Sequence, residues 1–256
     1  MPTVQEIRQA SADTAPLTML TAYDAPTAGI VDAAGVDMIL VGDSMGNAVL
    51  GYDSTLPVTM ADVASHTGAV VRATEDALVV ADMPFLSYGA AADTGIENAG
   101  QLVKEAGASA VKIESGPHTV ALTERLVQLG IPVMAHLGLT PQRVNQVGGY
   151  TRQGTTEADA QEIKDLARRH EEAGAFSLVL EHVPSELAAE VTADLDIPVI
   201  GIGAGSETDG QVLVLTDVIG LSASPPPFAE SFGDVRSEIE DAVAAYREAV
   251  EDGEFP

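Results

Sequence analysis

The chain contains no cysteine. Without a thiol it can form no disulfide, no cysteine-ligated zinc site and no iron–sulfur cluster, and it has no thiol nucleophile. Long hydrophobic runs are missing as well, because no apolar stretch approaches the roughly 18 residues that span a membrane. The N-terminal stretch MPTVQEIRQASADTAP lacks the basic start and apolar segment of a signal peptide. We therefore expect a cytoplasmic protein with no membrane partner.

Basic residues are scarce. Lys and Arg number 12 against 39 Asp and Glu, which gives a formal net charge of −27. Nucleic-acid binding needs a basic surface, so we expect no nucleic-acid partner. The acidic residues are spread through segments with regular apolar patterns, and salt at ~1 M would shorten the Debye length to about 3 Å. We infer an acidic surface suited to a salt-loaded cell; an ordinary acidic protein is the alternative.

Short apolar runs alternate with helix-like segments along the chain. Near-continuous apolar runs are typical of parallel strands buried on both faces, and eight occur, at residues 17–22, 38–41, 77–81, 110–113, 132–135, 177–180, 199–202 and 218–221. Strand–helix alternation of this length predicts a (β/α)8 TIM-type barrel. We expect a single catalytic domain over residues 1–256, with a C-terminal helix over 234–251. A doubly wound open sheet is the alternative.

Polar side chains follow most of the predicted strands. The carboxyl ends of barrel strands face the active site, and these ends carry Asp43, Ser44, Asp82, Lys112, Glu114, His136 and Glu181. Two like charges about 4 Å apart repel by about 4 kcal/mol at an effective dielectric of 20. Asp43, Asp82 and Glu114 therefore favour a hard cation, and Mg²⁺ suits oxygen ligands. A structural cluster neutralised by Lys112 is the alternative.

Glu181 follows the sixth predicted strand and stands apart from that cluster. A carboxylate beside a metal, but not needed as its ligand, is a candidate general base. The alternative is a carboxylate that belongs to the start of the next helix.

The connection after the fifth predicted strand is long, covering residues 137–155. Loops of this length in a compact domain are often functional lids. We therefore expect Tyr150 and Arg152 to lie on a loop that contributes to substrate binding.

The sequence resembles the ketopantoate hydroxymethyltransferase family from about residue 18 to 217. The resemblance is carried by TAYDA, VGDSMGNAVLGYDSTLPVTMADVASHT, ADMPFLSY, AVKIESG, AHLGLTPQ, GGYTRQG, LVLEHVP and IPVIGIGAGSETDGQVLV. It implies a (β/α)8 barrel enzyme that forms large homo-oligomers, commonly decamers built from pentamers.

The resemblance also implies roles for individual residues. Mg²⁺ would be held by Asp43, Asp82 and Glu114, and Glu181 would be the proton acceptor. The oxoacid substrate would be bound by Asp43, Ser44, Asp82, Lys112 and His136.

The implied reaction transfers a one-carbon unit from methylene-tetrahydrofolate or a related tetrahydropterin to 3-methyl-2-oxobutanoate. A Mg²⁺-stabilised enolate would be the intermediate, and 2-dehydropantoate, on the way to pantothenate and coenzyme A, the product. The segment SASPPPFAESFGD has no Lys or Arg where many family members carry basic residues, which leaves the choice of pterin open.

Two alternative functions fit the same residues. One is another Mg²⁺-dependent oxoacid barrel, similar to phosphoenolpyruvate mutase and isocitrate lyase, although those enzymes typically use a catalytic Cys. The other is a catalytically silent oxoacid or pterin binder, which a substitution at Glu181 or at a metal position would favour.

Overall fold

The structure is a computed structural model that describes residues 1–10 and 15–256. Eight parallel strands close into a barrel in sequence order, which confirms the predicted TIM-type fold. They are β1 (Leu17–Thr21), β2 (Met38–Val41), β3 (Leu78–Asp82), β4 (Ala110–Glu114), β5 (Val133–Gly138), β6 (Ser177–Glu181), β7 (Val199–Ile202) and β8 (Gly210–Leu213).

Helices separate most of the strands. They are α1 (Val4–Arg8), α2 (Ala25–Ala33), α3 (Met45–Ala48), α4 (Met60–Val71), α5 (Ala92–Lys104), α6 (Val120–Gln128), α7 (Val144–Val147), α8 (Glu157–Glu172), α9 (Ser185–Asp194), α10 (Leu215–Val218) and α11 (Val235–Glu251). A 3-10 turn, Pro141–Arg143, precedes α7. Among the described residues, none of the helices combines the length and apolar character needed to cross a membrane.

The helix ends follow local sequence rules. Thr156 begins α8 by accepting a hydrogen bond from the backbone of Asp159, as a helix N-cap does. Glycines end α6 and α8, where Gly130 and Gly174 have φ values of +86° and +96°. Only glycine adopts this left-handed backbone without a steric penalty.

Side chains alternate between two cores along each strand. The inner core contains Met19, Met38, Val80, Met134 and Ile200, and the outer core packs β5–β7 against α8 and α9. Because side chains two residues apart on a strand share a face, Asp82, Lys112 and His136 continue the inward row begun by Val80, Ala110 and Met134. The barrel interior thus changes from apolar to polar toward the carboxyl ends of the strands.

One strand was predicted in the wrong place. The eighth strand is Gly210–Leu213, whereas residues 218–221 begin at the last residue of α10 and continue past it. No helix separates β7 from β8, so the expected alternation misled the assignment. Gly210 is needed for closure, because a Cβ there would lie 2.5 Å from the backbone oxygen of Leu17 in β1.

The chain forms two compact units, Met1–Val212 and Leu213–Pro256. A single domain over 1–256 stays a prediction.

Within the second unit, the backbone N–H of Val235 donates to the carbonyl of Ile219 at 2.9 Å just where α11 begins. The predicted C-terminal helix is confirmed as Val235–Glu251. One side of α11 carries four exposed apolar residues, here called the α11 stripe: Ile239, Val243, Tyr246 and Val250.

Candidate active site

The predicted site residues lie at the carboxyl ends of five consecutive strands. Asp43 and Ser44 follow β2, and Asp82 ends β3. Lys112 and Glu114 belong to β4, with His136 in β5 and Glu181 at the end of β6. The strand register sets Asp82 beside Lys112 and Glu114 beside His136. Barrel geometry thus brings together residues that are far apart in sequence.

Lys112 and Asp82 form a buried ion pair. The Lys112 Nζ lies 2.8 Å from Asp82 Oδ1, and both side chains are less than one-tenth exposed. Burial alone would lower the pKa of Lys112, but Asp82 and Asp43 outweigh it and raise that pKa above its usual value. Lys112 therefore keeps its positive charge inside the barrel rim.

Asp82 has a second anchored contact. Its Oδ2 accepts the backbone N–H of Asp43 at 3.0 Å, so both Asp82 oxygens are engaged. The carboxylate consequently fixes the start of the loop after β2 relative to β3 and β4.

Asp43 and Glu114 are buried carboxylates in an electrostatically unfavourable place. Burial, and then the charge of Asp82, raises the pKa of Asp43 to about 7. Burial, followed by the charge of Asp43, also raises the pKa of Glu114. Glu114 Oε2 is buried without a hydrogen-bond partner. Both groups would be stabilised as anions by an added positive charge.

These observations agree only in part with a hard cation bound between Asp43, Asp82 and Glu114. The unpaired oxygen of Glu114 and the clustered charges suit an oxygen-ligated ion. Asp82, in contrast, already pairs with Lys112. Within the described residues, no group of three His, Asp or Glu side chains is arranged to hold a metal as it stands. Metal binding by Asp43, Asp82 and Glu114 thus stays a prediction.

Glu181 lies on the same rim as the ion pair. Its Oε2 is 3.1 Å from His136 Nε2, and its side chain is 16% exposed. Burial raises the pKa of Glu181 to about 7, although Lys112 and His182 act in the opposite direction. A carboxylate with such a pKa can exchange a proton near neutral pH.

The backbone holds Glu181 away from the next helix. The Glu181 carbonyl accepts the N–H of Leu139 at 2.8 Å, and a Cβ at Gly138 would lie 2.2 Å from that carbonyl oxygen. Helix α9 begins only at Ser185, and no side chain caps it. The interpretation of Glu181 as a helix-start carboxylate is therefore not favoured by the geometry.

Ser44 and Tyr23 join the loops after β1 and β2. The Tyr23 hydroxyl lies 2.9 Å from Ser44 Oγ, and burial is the main reason that the pKa of Tyr23 is raised. Asp24, beside Tyr23, caps α2 through its contact with the Thr27 N–H at 2.9 Å. Asp24 is thus a structural residue.

Two buried residues were missed by the sequence interpretation. The Gln142 side chain donates to Asp43 Oδ2 at 2.8 Å, and Tyr88 donates to Gln142 at 2.8 Å. Gln142 lies in the motif AHLGLTPQ and Tyr88 in ADMPFLSY. Those motifs carried the resemblance, but neither residue ends a strand, so the strand-end rule did not select them.

The long connection after β5 is partly helical. It contains the 3-10 turn and α7, and Arg152 donates to the carbonyl of Val183 at 3.0 Å. Half-exposed Tyr150 has a raised pKa, first because of burial and then because of the charges of Asp43 and Glu181. The position of Tyr150 is consistent with the predicted lid, which stays a prediction.

Solved structures with similar folds share the barrel. Phosphonopyruvate hydrolase in complex with oxalate and Mg++ aligns with a TM-score of 0.65 and 15% identity, over 99% of this chain and 88% of that chain. A 2,3-dimethylmalate lyase, a PEP mutase/isocitrate lyase superfamily member, aligns with a TM-score of 0.59 and 19% identity, over 98% of this chain and 85% of that chain. At such identities the likeness defines only the class: an α/β barrel.

Sequence comparison is more specific. The family model described as ketopantoate hydroxymethyltransferase matches residues 2–256. The 3-methyl-2-oxobutanoate hydroxymethyltransferase of Haloarcula marismortui is 68% identical over 100% of this chain and 94% of its own. A Pyrobaculum islandicum protein of the same name is 54% identical over 94% of this chain and 92% of its own. The chain belongs to the ketopantoate hydroxymethyltransferase family, and the expectation of a transferase is confirmed.

Proposed function

We propose that the protein transfers a hydroxymethyl group from a 5,10-methylene-tetrahydropterin to 3-methyl-2-oxobutanoate, giving 2-dehydropantoate for pantothenate and coenzyme A synthesis. The names of its relatives support this substrate. The observation that carries the proposal is the position of Glu181, 3.1 Å from His136 on the same rim as the Lys112–Asp82 ion pair, where burial raises the pKa of Glu181.

The oxoacid would bind beside the Lys112–Asp82 ion pair. Lys112 is the buried cation of this cluster and would attract the anionic substrate. Ser44 can donate a hydrogen bond through its hydroxyl, which Tyr23 orients at 2.9 Å. His136 would line the same space, since its ring lies between Lys112 and Glu181.

Mg²⁺ would be held by Asp43 and Glu114, with Asp82 as the third predicted ligand. The support is the buried, unpaired Oε2 of Glu114 and the raised pKa of both Asp43 and Glu114. When bound, this ion supplies Lewis-acid stabilisation of negative charge on the ketone oxygen. A likeness in fold to a Mg++-containing barrel is consistent with this assignment.

Glu181 would accept the proton from C3 of the oxoacid. The electron pair left by the C3–H bond forms the new carbon–carbon bond to the methylene carbon of the pterin. Both carbon–nitrogen bonds of that carbon break, and the two pterin nitrogens take up the proton from C3 and one proton of water. Water supplies the hydroxyl oxygen of the product. Lys112, held positive by its neighbours, would stabilise negative charge on the substrate during proton removal.

We also propose that the protein acts in the cytoplasm as a homodecamer or another large homo-oligomer. The α11 stripe supports self-association, because its four side chains are 46–61% exposed and recur at helical spacing. Aligned exposed apolar residues of this kind are typical of association surfaces.

The test is proton exchange at C3 of 3-methyl-2-oxobutanoate in heavy water, followed by NMR in high potassium chloride with Mg²⁺ and no pterin. We expect Mg²⁺-dependent exchange that falls by roughly 10²- to 10⁴-fold in Glu181→Gln. Glu186→Gln, an exposed acid at the start of α9, is the matched control and should exchange normally. No exchange even with Mn²⁺ or added tetrahydrofolate would overturn the proposal and favour a silent binder.

A further inference from the structure

Both polar atoms of the Gln142 side-chain amide make hydrogen bonds at the barrel rim. It lies in the 3-10 turn after β5 and is only 8% exposed. Its Nε2 donates to Asp43 Oδ2 at 2.8 Å and to the carbonyl of Met83 at 3.0 Å. Its Oε1 accepts the Tyr88 hydroxyl at 2.8 Å. The amide orientation follows from chemistry, because both Nε2 partners are acceptors only.

The backbone of Gln142 makes a further contact. Its N–H donates to Glu114 Oε1 at 2.9 Å, and the Glu114 N–H donates to the Tyr88 hydroxyl at 2.9 Å. One residue therefore contacts both Asp43, after β2, and Glu114, at the end of β4. Tyr88 closes the network from the loop after β3.

This network distinguishes the two oxygens of each carboxylate. Asp43 Oδ2 and Glu114 Oε1 accept hydrogen bonds from Gln142, whereas Glu114 Oε2 is buried without a partner. A carboxylate with one oxygen held by a hydrogen bond has its second oxygen fixed in direction. Gln142 consequently determines which oxygens of the two acids remain for a ligand.

We propose that Gln142 is a positioning residue that presents the second oxygens of Asp43 and Glu114 to the divalent cation. The inference rests on the proposed function, because it needs a cation at this rim. Gln suits the task because its uncharged amide donates to Asp43 without adding a charge. Glutamate at the same position would direct a fourth carboxylate at Asp43 and at the Met83 carbonyl.

The test measures Mn²⁺ affinity by electron paramagnetic resonance in molar potassium chloride, with no substrate present. Gln142→Met keeps the length of the side chain and removes the amide, and we expect Mn²⁺ to bind roughly 10- to 100-fold more weakly. Tyr88→Phe removes one hydroxyl from the network and should weaken binding less. The matched control is Gln161→Met, which breaks an amide–carboxylate contact to Asp165 on exposed α8 and should bind Mn²⁺ normally.

A kinetic readout separates positioning from a general loss of structure. At saturating Mn²⁺, Gln142→Met should recover most of its C3 exchange rate, so that the metal requirement shifts while the maximal rate changes little. Thermal unfolding of each variant without metal checks the fold, and Tyr88→Phe keeps the test valid if Gln142→Met unfolds.

The Mn²⁺ measurements distinguish a failure of the proposed Gln142 role from a failure of the proposed cation site. Wild-type Mn²⁺ affinity in folded Gln142→Met and Tyr88→Phe, with loss of binding in Asp43→Asn and Glu114→Gln, would overturn the role of Gln142 and leave the cation in place. Unchanged Mn²⁺ affinity in Asp43→Asn and Glu114→Gln would overturn the cation proposal, and this inference with it.

Discussion

His136 Nε2 lies 3.1 Å from Glu181 Oε2, while Nδ1 of the same ring lies 3.3 Å from Lys112 Nζ. Burial, and then the charge of Lys112, lowers the pKa of His136 well below its usual value, so the ring is neutral. An ammonium group can only donate, so Nδ1 accepts and Nε2 carries the proton. That proton faces Glu181, although Nε2 is not aligned for a hydrogen bond to it.

The first prediction concerns His136. In His136→Phe the N–H that lies 3.1 Å from Glu181 is lost, and the partial positive charge of that N–H favours the carboxylate form even without an aligned hydrogen bond. We expect C3 exchange to slow by roughly 10- to 100-fold and the midpoint of its pH profile to move to higher pH. NMR exchange rates measured across the pH range check both effects. A slower rate with an unmoved midpoint would show that His136 acts on the substrate rather than through Glu181.

The second prediction is the pH dependence of exchange in the unaltered protein. Glu181 accepts a proton only when it is ionised, and burial raises its pKa to about 7. The exchange rate should therefore fall about tenfold per pH unit below pH 7 and level off above it. Glu181→Gln, measured in the same buffers, should lose this profile. A midpoint near 4.5, the ordinary value for a glutamate, would contradict the buried position of Glu181.

The third prediction concerns acid stability and His170. This residue of α8 is fully buried, and its Nδ1 lies 3.0 Å from Thr123 Oγ1 of α6. Burial lowers its pKa from 6.5 to about 4, so between these values the unfolded chain binds a proton that the folded chain does not. The free energy of unfolding should decrease as pH falls from 6.5 to 4, by at most about 3 kcal/mol from this residue.

Urea unfolding at pH 7 and pH 5 checks this effect. His170→Gln should lose much of the difference between the two pH values. Glu162→Gln, an exposed position on the same helix, should keep it. Equal pH dependence in His170→Gln and the unaltered protein would mean that His170 does not cause the acid sensitivity.

The fourth prediction concerns salt and assembly. With a net charge of −27, copies of this chain repel one another once salt no longer screens them. We expect the proposed oligomer to dissociate on transfer from molar to millimolar salt, as measured by mass photometry or light scattering. Val243→Asp in the α11 stripe should dissociate it even in molar salt, while Ala245→Asp should not. An unchanged mass at both salt concentrations would contradict the prediction.

Much of the fold was predictable because barrel strands are buried on both faces. Runs such as residues 38–41 and 199–202 coincide with β2 and β7. Strand β8 was missed because its exposed Gln211 interrupts the apolar pattern, with burial alternating along Gly210–Leu213. Strand β8 takes its position because it closes the barrel against β1. Gly210 of β8 and Leu17 of β1 are 193 residues apart in sequence, so no local sequence pattern indicates their contact.

The site was predictable to the extent that it is built from strand ends. Lys112 and Glu114 share a face because they are two residues apart on β4. Gln142 and Tyr88 were not predicted from strand ends, because turns rather than strands bring them to the rim. The 3.1 Å approach of His136 to Glu181 also arises from strand pairing between β5 and β6, which the sequence does not display.

The distribution of the site over five consecutive strands has a consequence for biosynthesis of the protein. Asp43 comes from the loop after β2 and Glu181 from the end of β6, so a ribosome must release most of the barrel before the two carboxylates can lie on one rim. A chain that ends before β6 lacks Glu181 and could not carry out the proposed reaction. Activity measured in a cell extract would therefore report only those molecules whose barrel is completely synthesised.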